Sequence, residues 1–589
     1  MHKRRQEAHE ESVLLALRAL GAPLETPRDV SSALAEKRQT LSRQIAEPVI
    51  VAWNGKLTVK GKATLVLEDG SSSWPRQKPL PYGYHRLQFT SKGKTSESLV
   101  ISAPTRAHFP FSGKTWGAFA PVYALHSARS FGAGDLTDLE SLVEWTAQRG
   151  GHVISTLPLL ATFLDEPFEP SPYSPISRLF WNEFYVDPAK APEFSTSEEA
   201  RRLLAAAPPT RSTLVDYRET MRSKRRVLEA LARSFVEDTG TARHQEFSRF
   251  LSDNPDVLAY ARFRALNDQL PSEQYHLYVQ WLIQTQLRDL AARSHELDCL
   301  LYLDLPLGLH PKSFDTAQYP HLFVKGMSGG APPDPVFTSG QNWSFQPIHP
   351  QAMREDGYKY VIAYIRNHLR YASLLRIDHV MGLHRLYWIP EGMTGEHGLY
   401  VKYPAEEMYA ILSLESHLAN AGIVGENLGV VPPEVNRSMS RHNIMQLYVA
   451  QYETAVGRGK AALRKPPAGC VASLNTHDMF PFQAFIDGID IDARLKLGLL
   501  TAKAAQAEKN NRLRITKALQ RAYGKDLFKG CTKFLEKSNA SIVLQNLEDL
   551  WGETRPQNIP ATTTEHANWR RRLRYSMERL GLLETTLSR

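Results

Sequence analysis

The spacing of apolar and polar residues changes character at several points along the chain, and each change marks a predicted element. Residues 1–23, MHKRRQEAHEESVLLALRALGAP, read as an amphipathic helix. The apolar run is short, is interrupted by Arg18 and lacks a small-residue cleavage site, so it does not have the form of a secretion signal. After a charged segment to about Ala46, runs with β character follow: Val49–Trp53, Lys56–Leu67, Tyr84–Thr90 and Ser98–Ser102. Asn54-Gly55, Asp69-Gly70 and Pro81-Tyr82-Gly83 supply the turn signals between them. The pattern predicts a small β-sandwich, with residues 1–104 as one domain and 105–589 as another. Trp53, Trp74 and Tyr82 could face a carbohydrate or fill the core of that sandwich, and core is the commoner use of such rings.

From about Phe109 helical and strand patterns alternate. The helix Asp135–Arg149 runs through Gly150-Gly151 into the strand His152–Leu157, and Gln274–His295 leads to Cys299–Leu303. Tyr358–Tyr371 leads to a strand ending near Asp378, and Ala405–Asn420 passes through Gly422 into Ile423–Glu426. Helix, break and buried strand repeat four times, which predicts βα units stacked around a parallel sheet, with functional residues at the C-terminal strand ends. Ser541–Gln545, in an otherwise helical C-terminal region, is placed to close such a barrel. Residues 188–273 are too long for a connecting loop and carry a helical pattern, so they read as an insertion. Residues 323–350, rich in Gly, Pro and Ser, read as a lid loop.

Composition narrows the picture. The net charge is +9, from 71 basic and 62 acidic residues, but the basic clusters Lys3–Arg5, Lys224–Arg226 and Arg570–Arg572 are short, scattered and in helix-like sequence. They read as solvated helix faces, so no nucleic-acid partner is expected. Three widely separated cysteines, Cys299, Cys470 and Cys531, do not make a disulfide framework or a zinc site. No apolar stretch is long enough to span a bilayer. A cytoplasmic protein without a membrane partner is the expectation, and its oligomeric state is open.

The chemistry centres on Ser373–Pro390, SLLRIDHVMGLHRLYWIP. Read as a strand, it projects Arg376 and Asp378 from one face, where the guanidinium would hold the carboxylate ionised, as a carboxylate nucleophile requires. Three more apolar strands end in acids: Asp304 before Leu305-Pro306, Glu426 between Gly425 and Gly429, and Asp478 in Asn475-Thr476-His477-Asp478. The two glycines would let the backbone come close to a ligand. A ring of carboxylates costs desolvation and repulsion, and two chemistries need one: a metal centre or glycoside cleavage. A metal centre would bring histidines to the strand ends, whereas His379 and His477 each adjoin an acid and so point to the opposite face if the alternation holds. Glu426 suits the general acid, since the Asp378 charge would raise its pKa. Trp343 in the lid, with Tyr387, Trp388 and Tyr173, could wall the acceptor side.

Seven segments carry a resemblance. RIDHVMGLHRLYWIP, GENLGVVPPEV, NTHD, FGAGDL…TLPL…SPYSPISRLFWN, APPDPVFTSGQNW and LEDLWG…QNIPATT…NWRRRL, together with LPYGYHRL in the β-domain, closely resemble the amylomaltases, the 4-α-glucanotransferases or disproportionating enzymes of the α-amylase clan. The resemblance implies a (β/α)8 TIM barrel with helical insertions and transfer between maltooligosaccharides or starch- and glycogen-derived glucans, with no metal or other cofactor. It makes Asp378 the nucleophile, Glu426 the acid/base and Asp478 the transition-state stabiliser. Arg376 would orient Asp378, His477 would bond sugar hydroxyls, and Tyr173, Asp304, Asp334 and Trp343 would contact substrate. Three departures stand out. Asn427 replaces an aspartate beside the general acid, which would let its pKa fall. Ser344 replaces the glycine after the lid tryptophan. Met479-Phe480 replaces more polar residues after NTHD.

Overall fold

A computed structural model of the chain describes residues 7–581 apart from 60–62, 73–77, 92–93, 208–211, 238–241, 334–338, 458–461 and 564. Eight parallel strands close into a barrel: β1 (Thr115–Phe119), β2 (Val153–Ser155), β3 (Leu300–Leu305), β4 (Leu374–Ile377), β5 (Gly422–Gly425), β6 (Met445–Val449), β7 (Val471–Ser473) and β8 (Ile542–Asn546). Neighbours follow chain order, as stacked βα units require. The late strand closes the ring, with Ile542 of β8 opposite Thr115 of β1. Two strands, β1 and β6, went unseen in the pattern: TWGAF is broken by Gly117, and MQLYV follows closely on the helix Pro433–Arg441. The helix before β2, Leu136–Ala147, starts where Asp135 accepts from the amides of Thr137 and Asp138, and the Asp138 side chain returns the bond to the amide of Asp135.

The chain divides into two compact units, Met1–Pro110 with Leu305–Gln446 and Phe111–Asp304 with Leu447–Arg589. In the first, the β-domain is a four-stranded sheet in the order Val49–Trp53, Lys94–Ala103, Gly83–Ser91, Ala63–Val66. One face packs Ala52, Leu87, Phe89 and Val100 against Leu67 and Leu80. The other meets the helix Ala405–Ala419, in the place a second sheet would take in a sandwich, and Tyr84 Oη donates to Glu415 Oε1 there at 2.7 Å. Trp53 stacks on His442 at 4.7 Å and so serves packing. Tyr82 is exposed, and Trp74 lies outside the described residues.

The lid segment is more ordered than its composition suggested. Met327–Ala331 and Gln341–Asn342 pair as antiparallel strands, and Met327–Ala331 also pairs with Arg385–Pro390, which pairs with Leu399–Lys402. MSGGA holds few large apolar residues, so its strand was not legible. Tyr387 and Trp388, expected on the acceptor wall, lie buried in this sheet, Trp388 in its apolar core and Tyr387 bonded to the Gly395 carbonyl at 2.8 Å. Alternation explains it: a strand with both faces covered buries consecutive residues.

In the second unit the insertion folds as helices Glu198–Ala205, Tyr217–Glu237, Ala242–Asp253 and Val257–Asn267. The fully buried Lys224 anchors it by donating to the carbonyls of Phe184 and Val186 at 2.6 and 2.9 Å. Asp268 takes Arg225 at 2.6 Å, Arg264 at 3.4 Å and His276 at 3.1 Å. Glu183, Asp268 and His276 come close enough to share an ion, but the two guanidinium groups already meet the charge of the acids. The three cysteines are buried and unbridged, their thiols pushed up to about 12 by burial. Among the described residues no helix is long and apolar enough to cross a membrane.

Candidate active site

Four of the sequence-predicted acids stand at C-terminal ends of barrel strands: Asp304 within β3, Asp378 after β4, Glu426 after β5 and Asp478 five residues past β7. They fall into two groups, one in each compact unit.

In the first unit Asp378 is the residue after β4, its amide donating to the Leu305 carbonyl at 3.1 Å. Arg376 Nη2 meets Asp378 Oδ1 at 3.0 Å, the adjacency that strand alternation predicts, and the Leu307 amide donates to Oδ2 at 3.3 Å. Glu426 is buried, its Oε2 accepting from the His379 amide at 3.0 Å and Oε1 from the Leu428 amide at 2.7 Å. Burial pushes its pKa up to about 7; the Asp378 charge adds to the rise, while Arg376 and the two amides oppose it. The charge of Asp378 is therefore a secondary cause, where the sequence argument made it the main one. Asn427 turns to Asn436 at 2.9 Å and Gln446 at 3.3 Å, and the pKa of Glu426 stays high beside it.

His379 was expected to point away from Asp378 by alternation. The strand stops at Ile377, and His379 takes the left-handed conformation with φ 47°, its amide donating to Glu426. Its ring meets Trp343 edge-on at 5.1 Å, and burial lowers its pKa to about 4, so it is neutral. Trp343 thereby joins this group through His379. Ser344 keeps a left-handed φ of 60° although it is not glycine, its amide bonded to Asn342 Oδ1 at 2.8 Å. Gly425 serves packing instead of a ligand: a Cβ there would come within 2.7 Å of Met439 and 2.9 Å of Val380. Gly429 is a turn residue with φ 82°.

In the second unit Tyr173 Oη donates to the buried Asp304 Oδ2 at 2.7 Å and lies 2.7 Å from His477 Nε2, its ring stacked on the imidazole at 5.2 Å. His477 Nε2 is 3.1 Å from Asp478 Oδ2, and Asn558 donates to Oδ1 at 2.8 Å. His477 and Asp478 thus face the same way, against the alternation argument, because β7 ends at Ser473 and NTHD is a turn. That turn is pinned by the buried Asp549, which accepts from Asn475 Nδ2 at 3.0 Å and from the Phe482 amide at 3.0 Å. Asp334 lies outside the described residues.

Sequence reasoning missed His379 as a donor, the amides of Leu307 and Leu428, and Asn558 and Asp549. The last two lie in QNIP and LEDLWG, within the stretches that carry the family resemblance, and that is their only signal.

The profile of the 4-alpha-glucanotransferase family, Glyco_hydro_77, matches residues 120–274 and 269–578. A 4-alpha-glucanotransferase of Mycobacterium tuberculosis is 28% identical, covering 95% of this chain and 90% of its own. One of Haemophilus influenzae is 28% identical, covering 84% and 81%. The crystal structure of amylomaltase from Corynebacterium glutamicum superposes with a TM-score of 0.89 at 25% identity, covering 99% of this chain and 95% of the other. The chain belongs to the 4-alpha-glucanotransferase family and is a glycosyltransferase with glucanotransferase-type activity on alpha-1,4-glucans.

Proposed function

We propose that the protein transfers α-1,4-glucan segments between maltooligosaccharides, including those released from starch or glycogen, by a retaining double displacement that releases glucose when the donor is short. Asp378 attacks the anomeric carbon while Glu426 gives its proton to the departing 4-oxygen. The 4-hydroxyl of a second glucan then gives its proton to Glu426 and displaces Asp378, restoring both groups. Asp478 meets the positive charge that develops on the sugar ring, and Arg376 holds Asp378. His477, Tyr173 and Asp304 bond sugar hydroxyls, with Asp334 and Trp343 contributing from the lid. The scheme uses no metal and no cofactor. Cytoplasmic residence, without nucleic-acid or membrane partners, completes the reading, as does an accessory role for residues 1–104 beside a catalytic region 105–589.

One observation carries it: a buried glutamic acid with a pKa near 7, one strand over from a carboxylate held by an arginine. A proton-bearing acid beside an arginine-held carboxyl group is the pairing that retention requires of acid and nucleophile. Incubation with pure maltotriose tests it. Glucose should appear with a ladder of longer maltooligosaccharides while total reducing ends stay nearly constant, and Trp343→Ala should raise the share of hydrolysis because the lid ring excludes water. Reducing ends that climb, with nothing longer than maltotriose, would make the protein a hydrolase.

A further inference from the structure

The helix Glu10–Ala19 has an apolar stripe, and the stripe has a partner. Ser12 and Ala16 are buried and Leu15, Ala19 and Leu20 half-buried, the spacing of one helix face. Ala16, 2% exposed, joins Val324, Met327, Phe345, Leu386, Trp388 and Val401 of the lid sheet and its flanks in one apolar cluster. Ser12 Oγ donates to Met393 Sδ at 3.7 Å. At the other end the His349 ring bonds the Leu20 carbonyl, while its Nδ1 accepts from the amides of Gln351 and Ala352 at 3.1 Å. The helix is therefore fixed to both the sheet and the base of the lid segment.

Two further members of the cluster reach the reacting groups. Leu307 packs against it, and the amide of Leu307 is the donor to Asp378 Oδ2. Trp343 packs against it too, and its ring rests on His379, whose amide is on Glu426. All of these residues belong to one compact unit. We infer that the N-terminal helix is a positioning element of the active site: by filling the outer side of this cluster it sets where Trp343 and the Leu307 amide stand, and so how the glycosyl-enzyme divides between sugar and water. The inference rests on the transfer reading above. A helix removed from the chemistry can act this way because a packed core passes on small displacements, and placing an acceptor hydroxyl tolerates little error.

The test uses the full chain and a ratio. Ala16→Asp puts a charge into the cluster, Leu15→Ala only thins it, and the exposed Glu11→Lys is the control. For each, net new reducing ends are divided by longer maltooligosaccharides formed from maltotriose. Unfolded molecules add to neither quantity, so the ratio reports placement and not the amount of folded enzyme. Ala16→Asp should raise it about fivefold or more and Leu15→Ala about twofold, with Glu11→Lys unchanged. If Ala16→Asp folds poorly, Leu15→Ala alone decides. A wild-type protein that transfers while both variants keep its ratio overturns the inference; a wild type that forms no longer product overturns the transfer reading instead.

Discussion

The two groups of acids are held by different means. Among the described contacts, those on Asp378 and Glu426 include one guanidinium and three main-chain amides, those of Leu307, His379 and Leu428. Around Asp304 and Asp478 they run from side chain to side chain, through Tyr173, His477 and Asn558, and the Asp478 side chain keeps 46% of its surface exposed. Amide donors are fixed by the course of the backbone and give little. A relay of side chains can adjust to whatever it binds. The first arrangement suits groups that exchange a proton or form a bond, where small misplacement is costly, and the second suits groups that follow a substrate.

The sharpest break of this comparison is Asp378→Asn. It keeps the amide contact and the shape but removes the nucleophile, and turnover should fall on the order of a thousandfold, about 4 kcal/mol of barrier. Thermal unfolding should be little changed; an active variant would refute the assignment. Glu426→Gln comes next, with an expected loss of about a hundredfold in turnover. In the wild type, kcat/KM should fall as pH rises through about 7, because the proton-bearing acid is lost. Stability changes on the acid side of that range. The folded pKa of Glu426 lies above its unfolded value, so the folded state binds the proton more tightly, and stability declines as pH rises from about 4.5 to about 7. Glu426→Gln removes that penalty, so its melting temperature relative to wild type should be higher at pH 8 than at pH 5.

Tyr173→Phe probes the side-chain relay. Losing the hydroxyl between Asp304 and His477 should cost about tenfold in kcat/KM, about 1.4 kcal/mol, mostly through KM. A thousandfold loss in kcat would erase the distinction between the groups. Exhaustive chelation should change nothing, since the proposed steps use carboxylates and an arginine only; activity lost and then restored by a divalent ion would contradict the scheme.

How far each group was legible follows from the same difference. The period of the apolar residues located six of the eight barrel strands, and alternation put Arg376 beside Asp378, because both depend on side chains near in sequence. Alternation misled at His477, which lies in a turn past β7, where only the backbone path decides where a side chain faces. The amides of Leu307 and Leu428 left no trace, since any residue but proline supplies one. Asn558 is 80 residues from Asp478, a separation no local pattern spans. The lid sheet was hidden by Met327–Ala331, whose glycines look like a loop and pair like a strand.

His379 shows how such a molecule would respond to selection. A side chain held at φ 47° carries a folding penalty of about 1 kcal/mol that glycine avoids, and its amide bond to Glu426 would survive the replacement. Lineages screened for heat tolerance alone would drift toward glycine there, while lineages screened for product would retain the ring against which Trp343 rests. The residue found at this one position would then tell which of the two pressures an evolved descendant had lived under.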